Sequence, residues 1–315
     1  MTRVGLIINP YSRHNRAGVF RRAVAEQGDA FLWVEPRTPA GLAEALTDFR
    51  RQGVRVVAVS GGDGTLRDVL TALPAVYGDD APDIALMPAG KTNLAARVVG
   101  GTRRDLRGLR RLCDAARDGT LTRTTWPLLE VSWPDAPERR VRGFLFGAAA
   151  FAEGTRIAAR HIQGAGVHNG LSVALSIAVT AAATLFGRRR RALLAGEAMR
   201  VTVDGAPARG GHHFITLATT LDRLVLGLTP FWGEGAGRLR WLDVAAPPQR
   251  LMAALVPVLR GRPRPWMTDA GYASGRADRL HIETDQPVVV DGEMFEPGAG
   301  GLVVSTTAPL GFVAP

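Results

Sequence analysis

The sequence is short of residues on which several kinds of protein depend. A single cysteine, Cys113, stands in 315 residues, so no internal disulfide can form. With no Cys/His cluster at zinc spacing, a disulfide scaffold and a zinc module are both excluded. Lysine is nearly missing: Lys91 is the only one among 39 basic residues. Long apolar runs are also scarce. The opening MTRVGLIINP holds one arginine and an apolar run, Val4–Ile8, that meets Asn9-Pro10, far too short for a signal-peptide core or a spanning helix. The expected location is cytoplasmic.

What is present fits a folded, soluble chain. Hydrophobic residues make up 46% and charged residues 22%, close to globular averages and far from disordered compositions. The length exceeds what one core usually organises, which predicts two domains. The 39 basic against 29 acidic residues give +10, a balance that invites an anionic partner. Arginine is scattered, with neither a recognition helix nor an interleaved aromatic stripe, so nucleic acid is not expected.

Two halves differ in period. Up to about residue 125, short β-branched runs (Val4–Ile8, Arg55–Val59, Ile84–Met87) alternate with amphipathic helical stretches, the pattern of a parallel sheet covered by helices. Thr38-Pro39 reads as an N-cap with a first-turn proline, and Gly53 as the stop of that helix. From 126 to 315 the period becomes two in Leu128–Trp133, Val141–Phe146, Met199–Val203, Phe214–Ala218, Arg238–Val244, Arg279–Glu283 and Val288–Val290. Asp204-Gly205 is a hairpin signal. The second domain is therefore expected to be an antiparallel, β-rich sandwich, with helical inserts around 170–186 and 247–259; a return of the extreme C-terminus to the first domain is left open. His212 and His213 read as packing or solvated residues.

The most informative string is Val57–Thr65, VAVSGGDGT, which sets Gly61, Gly62 and Gly64 with one carboxylate between a buried strand and a helix start. Glycines let backbone N–H groups approach phosphate oxygens, the helix terminus adds unpaired donors, and Asp63 can hold magnesium or accept a proton. Thr65 can cap the helix or touch phosphate. The spacing is neither a dinucleotide fingerprint nor a Walker A loop. A second loop, Pro88–Asn93, repeats the logic: Gly90 opens the backbone, Lys91 adds a cation and Asn93 a hydrogen-bonding amide.

GGDGT at 61–65 resembles the nucleotide-binding signature of the diacylglycerol kinase, sphingosine kinase and bacterial lipid kinase family. Three further stretches are similar to that family, in its order. They are Ile8-Asn-Pro-Tyr-Ser12, Pro88-Ala-Gly-Lys-Thr-Asn93 and Val290-Asp-Gly-Glu293. The chain departs at Arg13, Lys91 and Leu94, and it lacks the acidic pair that often precedes the Leu242-Asp-Val244 stretch.

The resemblance implies a lipid kinase. ATP would lie on Asn9, Pro10, Ser12, Gly61, Gly62, Asp63, Gly64, Thr65, Gly90, Lys91, Thr92 and Asn93, with Arg160 reaching the phosphates and Asp63 holding Mg2+. Glu153 would enter the substrate cleft, and Asp291 and Glu293 would share catalysis. Their i, i+2 spacing, in a strand or a turn, is expected to put both carboxylates on one face. The implied partner is a lipid, diacylglycerol or a relative, met at a membrane surface by a peripherally associated enzyme. Leu171–Phe186, followed by Arg188–Arg191, is readable as an interfacial element or as a buried helix. An NAD kinase-like enzyme, a binding protein without catalysis, and a homodimer stay open.

Overall fold

The computed structural model describes residues 3–90, 93–163, 190–224 and 227–315, leaving aside the side chains of 158–163. Two compact units result, Met1–Trp126 with Ala308–Pro315, and Pro127–Thr307.

In the first unit, strands β1 (Arg3–Ile8), β2 (Leu32–Val34), β3 (Val54–Gly61) and β4 (Asp83–Pro88) lie parallel in the order β4-β3-β1-β2. The helices are α1 (Val19–Ala25), α2 (Pro39–Arg51), α3 (Asp63–Tyr77), α4 (Leu94–Val99) and α5 (Leu106–Asp118). Both faces of the sheet are covered, which explains the near-continuous apolar run of β3, where only Arg55 is exposed. Leu6, Ile8, Val56 and Ala58 pack with Phe20 and Val24 of α1 and Leu109 and Leu112 of α5. Alternate residues face the other way. There a Cβ on Gly5 would stand 2.6 Å from the Phe49 ring, so glycine makes the space that α2 fills. The Thr38 hydroxyl accepts the Gly41 N–H at 3.0 Å, and Gly53 adopts φ +69° past the helix end, as the cap signals predict.

The second unit is built from antiparallel strands. They are β5 (Thr122–Trp133, beginning in the first unit), β6 (Ala136–Gly143), β7 (Leu145–Ala149), β8 (Glu197–Val203), β9 (Arg209–Thr219), β10 (Leu239–Ala245), β11 (Tyr272–Ala277), β12 (Arg279–Glu283), β13 (Val288–Val290), β14 (Glu293–Phe295) and the first part of β15 (Leu302–Ala314). Pairing runs β14-β13-β7-β9-β8-β12-β15, with β10 on β9, β11 on β10, and β5 on β6. Trp133, Phe146, Val201, Leu280, Ile282, Val290 and Val304 belong to its core. Asp204 and Gly205 take φ +48° and +76° in the β8–β9 turn, the two-residue geometry that the sequence signalled. The remaining described helices are α6 (Ala150–Gln163), α7 (Arg190–Ala195), α8 (Leu251–Leu259) and α9 (Trp266–Asp269).

The split into a parallel and an antiparallel half thus appears in the strand pairing itself. Two expectations change. The strand expected over 141–146 is broken between β6 and β7, because the N–H groups of Phe144 and Leu145 turn to a carboxylate, that of Asp291. The second expected insert narrows to α8, beginning after Pro247-Pro248. The first, at 170–186, lies outside the described residues. No helix among the described residues is long and apolar enough to cross a membrane.

The end of β15 belongs to the first unit. Phe312 pairs with Ile84 of β4 in parallel register, and Phe312 and Val313 are buried. Phe312→Ala is expected to cost about 3–5 kcal/mol, the usual range for truncating a buried aromatic side chain. Urea denaturation checks it; a loss below about 1 kcal/mol would show that the terminal segment does not complete this core.

Candidate active site

Parallel strands deliver their loops to one edge, the carboxyl ends, where open α/β sheets bind ligands. β1, β3 and β4 all end there, and side-chain amides lace the three loops together. Asn9, after β1, donates from Nδ2 to the Thr65 hydroxyl at 2.7 Å. Asn15, 5% exposed, donates from Nδ2 to the carbonyls of Asn9 and Ser60, both at 3.0 Å. The Ser12 N–H donates to the Asn9 carbonyl at 3.2 Å, closing the turn that begins at Asn9 and Pro10, and the Ser12 carbonyl accepts the N–H of Asn15 at 2.9 Å. The Ala89 N–H donates to the Gly61 carbonyl at 2.8 Å, and the His14 N–H to the Ala89 carbonyl at 3.1 Å.

Between the second and third loops the backbones touch. A Cβ on Gly90 would stand 2.6 Å from the Gly62 Cα and 2.9 Å from the Asn93 Oδ1, so neither loop accepts a side chain there. Asn93 has φ +50° and folds its amide back, Oδ1 accepting the Gly90 N–H at 2.9 Å. Together the loops wall a small cavity lined by Gly61, Gly62, Asp63, Pro88, Asn93 and Ala96. α3 starts with no side-chain cap. Its first N–H groups and the positive end of its dipole are therefore left for an anion. Thr65 is not that cap, because its hydroxyl is engaged by Asn9.

Asp63 is the first residue of α3, and its Oδ1 lies 3.4 Å from the Ala95 N at the start of α4. Burial pushes its carboxyl above the usual carboxylate range, while the N–H groups of Leu94, Ala95 and Asn93 pull the other way and do not cancel it. Lys91 and Thr92 lie outside the described residues. Leu94, at a place where an acid is common in the resembling family, is buried at 3% exposure in the first-unit core.

Residues 3–124 match the family described as the diacylglycerol kinase catalytic domain. That match spans the first unit's strands and all of the loops just described. The likeness to the diacylglycerol kinase catalytic domain thus covers the first part of this chain. Relatives named "Probable lipid kinase YegS" from Escherichia coli O1:K1 / APEC and Escherichia coli O9:H4 (strain HS) are 38% identical over 79 residues, 25% of this chain and 22% of each relative. The aligned stretch thus covers under a quarter of those relatives. The crystal structure of a diacylglycerol kinase from Bacillus anthracis str. Sterne aligns with TM-score 0.60 at 12% identity, covering 99% of this chain and 97% of that one. A further structure from the same organism gives 0.63 at 14% over the same shares. At such identities the likeness is one of fold.

The stretch Val290–Glu293 has a shape that its spacing did not suggest. Asp291 and Gly292 have φ +48° and +88° and form the two-residue loop of the β13–β14 hairpin, in which Val290 pairs with Glu293. A turn, not a strand, separates the two acids, so the alternation argument does not apply and they do not share a face. Asp291 is 6% exposed, and its carboxylate accepts the N–H of Leu145 at 2.9 Å and of Phe144 at 3.1 Å. Glu293 is exposed. Glu153 sits in the first turn of α6 and accepts from the Arg156 Nε at 2.6 Å. Arg160 lies on α6, in the stretch whose side chains are not described.

Sequence reasoning missed the polar cluster of the second unit. Asp243, fully buried, accepts from the Thr216 hydroxyl at 2.8 Å and the Arg209 Nε at 3.0 Å, and its Oδ1 lies 2.7 Å from the His213 Nδ1. Burial alone would raise its pKa; those partners outweigh it and hold the carboxyl below its usual range. Glu197, cross-strand neighbour of His213, is raised by burial and by the charge of Glu153, against the pull of Arg156. The one sequence signal was a pair of histidines in a strand. Among the described residues no group of three acids, histidines or cysteines is placed to hold a metal.

Two outcomes follow. An acid whose pKa rises on folding costs stability above its ordinary value of about 4, a cost absent below it. Asp63→Asn is therefore expected to melt above the wild type at pH 7, the gap closing as pH falls toward about 4; calorimetry across pH checks it. Asp291→Ala leaves two buried N–H groups unmatched and is expected to lose about 1–3 kcal/mol, whereas Glu293→Gln should leave the melting temperature unchanged. Equal melting of both variants would contradict the placement of Asp291.

Proposed function

We propose that the protein transfers the γ-phosphoryl group of ATP to a lipid hydroxyl, diacylglycerol being the leading acceptor. The observation that carries this reading is the convergence of three strand-end loops on an uncapped helix start, in a chain that matches the kinase family over the whole of that architecture. The triphosphate would rest on the N–H groups of residues 62–65. The lipid oxygen attacks the γ-phosphorus, the bond from that phosphorus to the β,γ-bridging oxygen breaks, and ADP leaves.

The attacking hydroxyl must lose its proton. Asp291 is committed to backbone N–H groups, which suits a positioning role for the hairpin it turns. Glu293, exposed and two residues on, is assigned as the base. Asp63 fits a magnesium ion that keeps its waters and binds nucleotide phosphates, because such a site needs only one or two protein carboxylates. When bound, the ion would neutralise charge developing on the phosphates. Glu153 and the α6 segment would border the acceptor, and Lys91, Thr92 and Arg160 would add contacts to the phosphates. An acceptor lipid implies work at a membrane surface by a peripheral, cytoplasmic enzyme.

The test is turnover of labelled ATP with magnesium and a panel of lipids, alongside NAD as a soluble acceptor. Diacylglycerol or another lipid should carry the label. Glu293→Gln should lower kcat by roughly 10²–10⁴ with little change in the KM for ATP, and Asp63→Asn should abolish transfer. Label on NAD, or ATP binding without turnover on any acceptor, would overturn the reading.

A further inference from the structure

The buried stripe of α5, Gly108, Leu109, Leu112, Ala115 and Ala116, turns Arg107, Arg110 and Arg111 outward in its first turns, just after Arg103 and Arg104. These cations stand at the wrong end of the helix, since the N-terminus carries the positive pole of the dipole. At the other end Arg117 pairs with Asp114 at 2.6 Å, the arrangement a helix favours. Asp105, the one acid in residues 102–111, does not balance the group. Its carboxylate caps α5 through the Gly108 N–H at 2.8 Å and binds Arg103 at 2.8 Å. Arg110 reaches only the neutral amide of Gln27, at 2.7 Å. Arg104 and Arg107 make no hydrogen bond or ion pair among the described residues.

The same arginines line a groove against α1 whose other lining includes Val19, Phe20, Ala23 and Leu106. Val19 is 64% exposed. Exposed guanidiniums spaced along a helix do not converge on a single ion; they match a plane of separate negative charges, and apolar surface beside them matches an amphiphile. A small phosphate would call for donors gathered and buried around one point, and an RNA for exposed aromatic surfaces beside the cations, whereas the one phenylalanine of this groove, Phe20, is buried.

We propose that this face of the first unit, Arg104, Arg107 and Arg110 with the groove beside Val19, docks on the surface of an anionic bilayer. It deepens the lipid-kinase reading and rests on it for its purpose. Vesicle binding is measured without ATP, so the two fail separately. The experiment is co-sedimentation of the full chain with vesicles of phosphatidylcholine alone, or with roughly a third phosphatidylglycerol, at low and high salt. The expected result is binding to the anionic vesicles that salt weakens, and a drop of about two orders of magnitude in the partition coefficient for the R104Q/R107Q/R110Q variant, with its melting temperature and its turnover of a short-chain, water-soluble diacylglycerol unchanged. Three outcomes would overturn the proposal: equal binding to both vesicle types, a variant that binds like the wild type, or displacement by inorganic phosphate at constant ionic strength. Loss of turnover on every lipid with vesicle binding intact would sink the kinase reading and leave the docking face standing.

Discussion

The first unit depends on one close approach, that of the backbones of Gly62 and Gly90, which leaves no room for a methyl group on Gly90 and only a tight 3.2 Å for one on Gly62. Because β3 and β4 are parallel neighbours, their loops leave at the same level. Two ordinary loops would hold each other apart by the width of their side chains. Glycine at both positions lets the Ala89 N–H reach the Gly61 carbonyl, and that bond fixes the height of the second loop against the first. Asn9 and Asn15 then tie the β1 loop to the same edge. An uncapped helix start is of use to a ligand only if it is held still, and these bonds between loops hold it.

The buried acids show how differently one side chain is used. Asp243 is answered by a histidine, a threonine and an arginine, and its charge is favoured. Asp291 is answered by two backbone N–H groups, and in accepting them it ends one strand and starts another. Asp63 is answered, among the described residues, by the start of a short helix and the charge of Arg97, and burial still disfavours its charge. A carboxylate held at a cost to the fold is what a binding site asks for, since a cation arriving there relieves it. The Asp243 carboxylate has the opposite character, paired on both oxygens inside a sheet, although the far ring nitrogen of His213 finds no partner among the described residues.

Much of this was legible in the residues, and what was not has physical reasons. The three buried parallel strands showed as β-branched runs, and α2 announced itself by Thr38, Pro39 and Gly53, because caps and periodicity are local. The glycine loops at the strand ends were readable because glycine beside a carboxylate marks a strand-to-helix turn. The Val290–Glu293 stretch was recognisable, but its geometry was misread: alternation assumes extended backbone, and Asp291-Gly292 both take positive φ. β15 was invisible as a link between units, since its partners lie far away in sequence. The role of Asn15 was hidden for the same reason; an asparagine in a loop looks alike whether it is solvated or bonded to Ser60.

β15 also bears on how the chain assembles. It leaves the antiparallel sheet and finishes as a neighbour of β4, at the far end of the polypeptide. While the ribosome is still at work, the amino-terminal portion can collapse, yet the outer margin of β4 has no mate until residue 312 emerges. For most of synthesis that margin is an open template for strand addition by other nascent chains. Completion of the β4 edge thereby waits on a pairing across more than two hundred intervening residues.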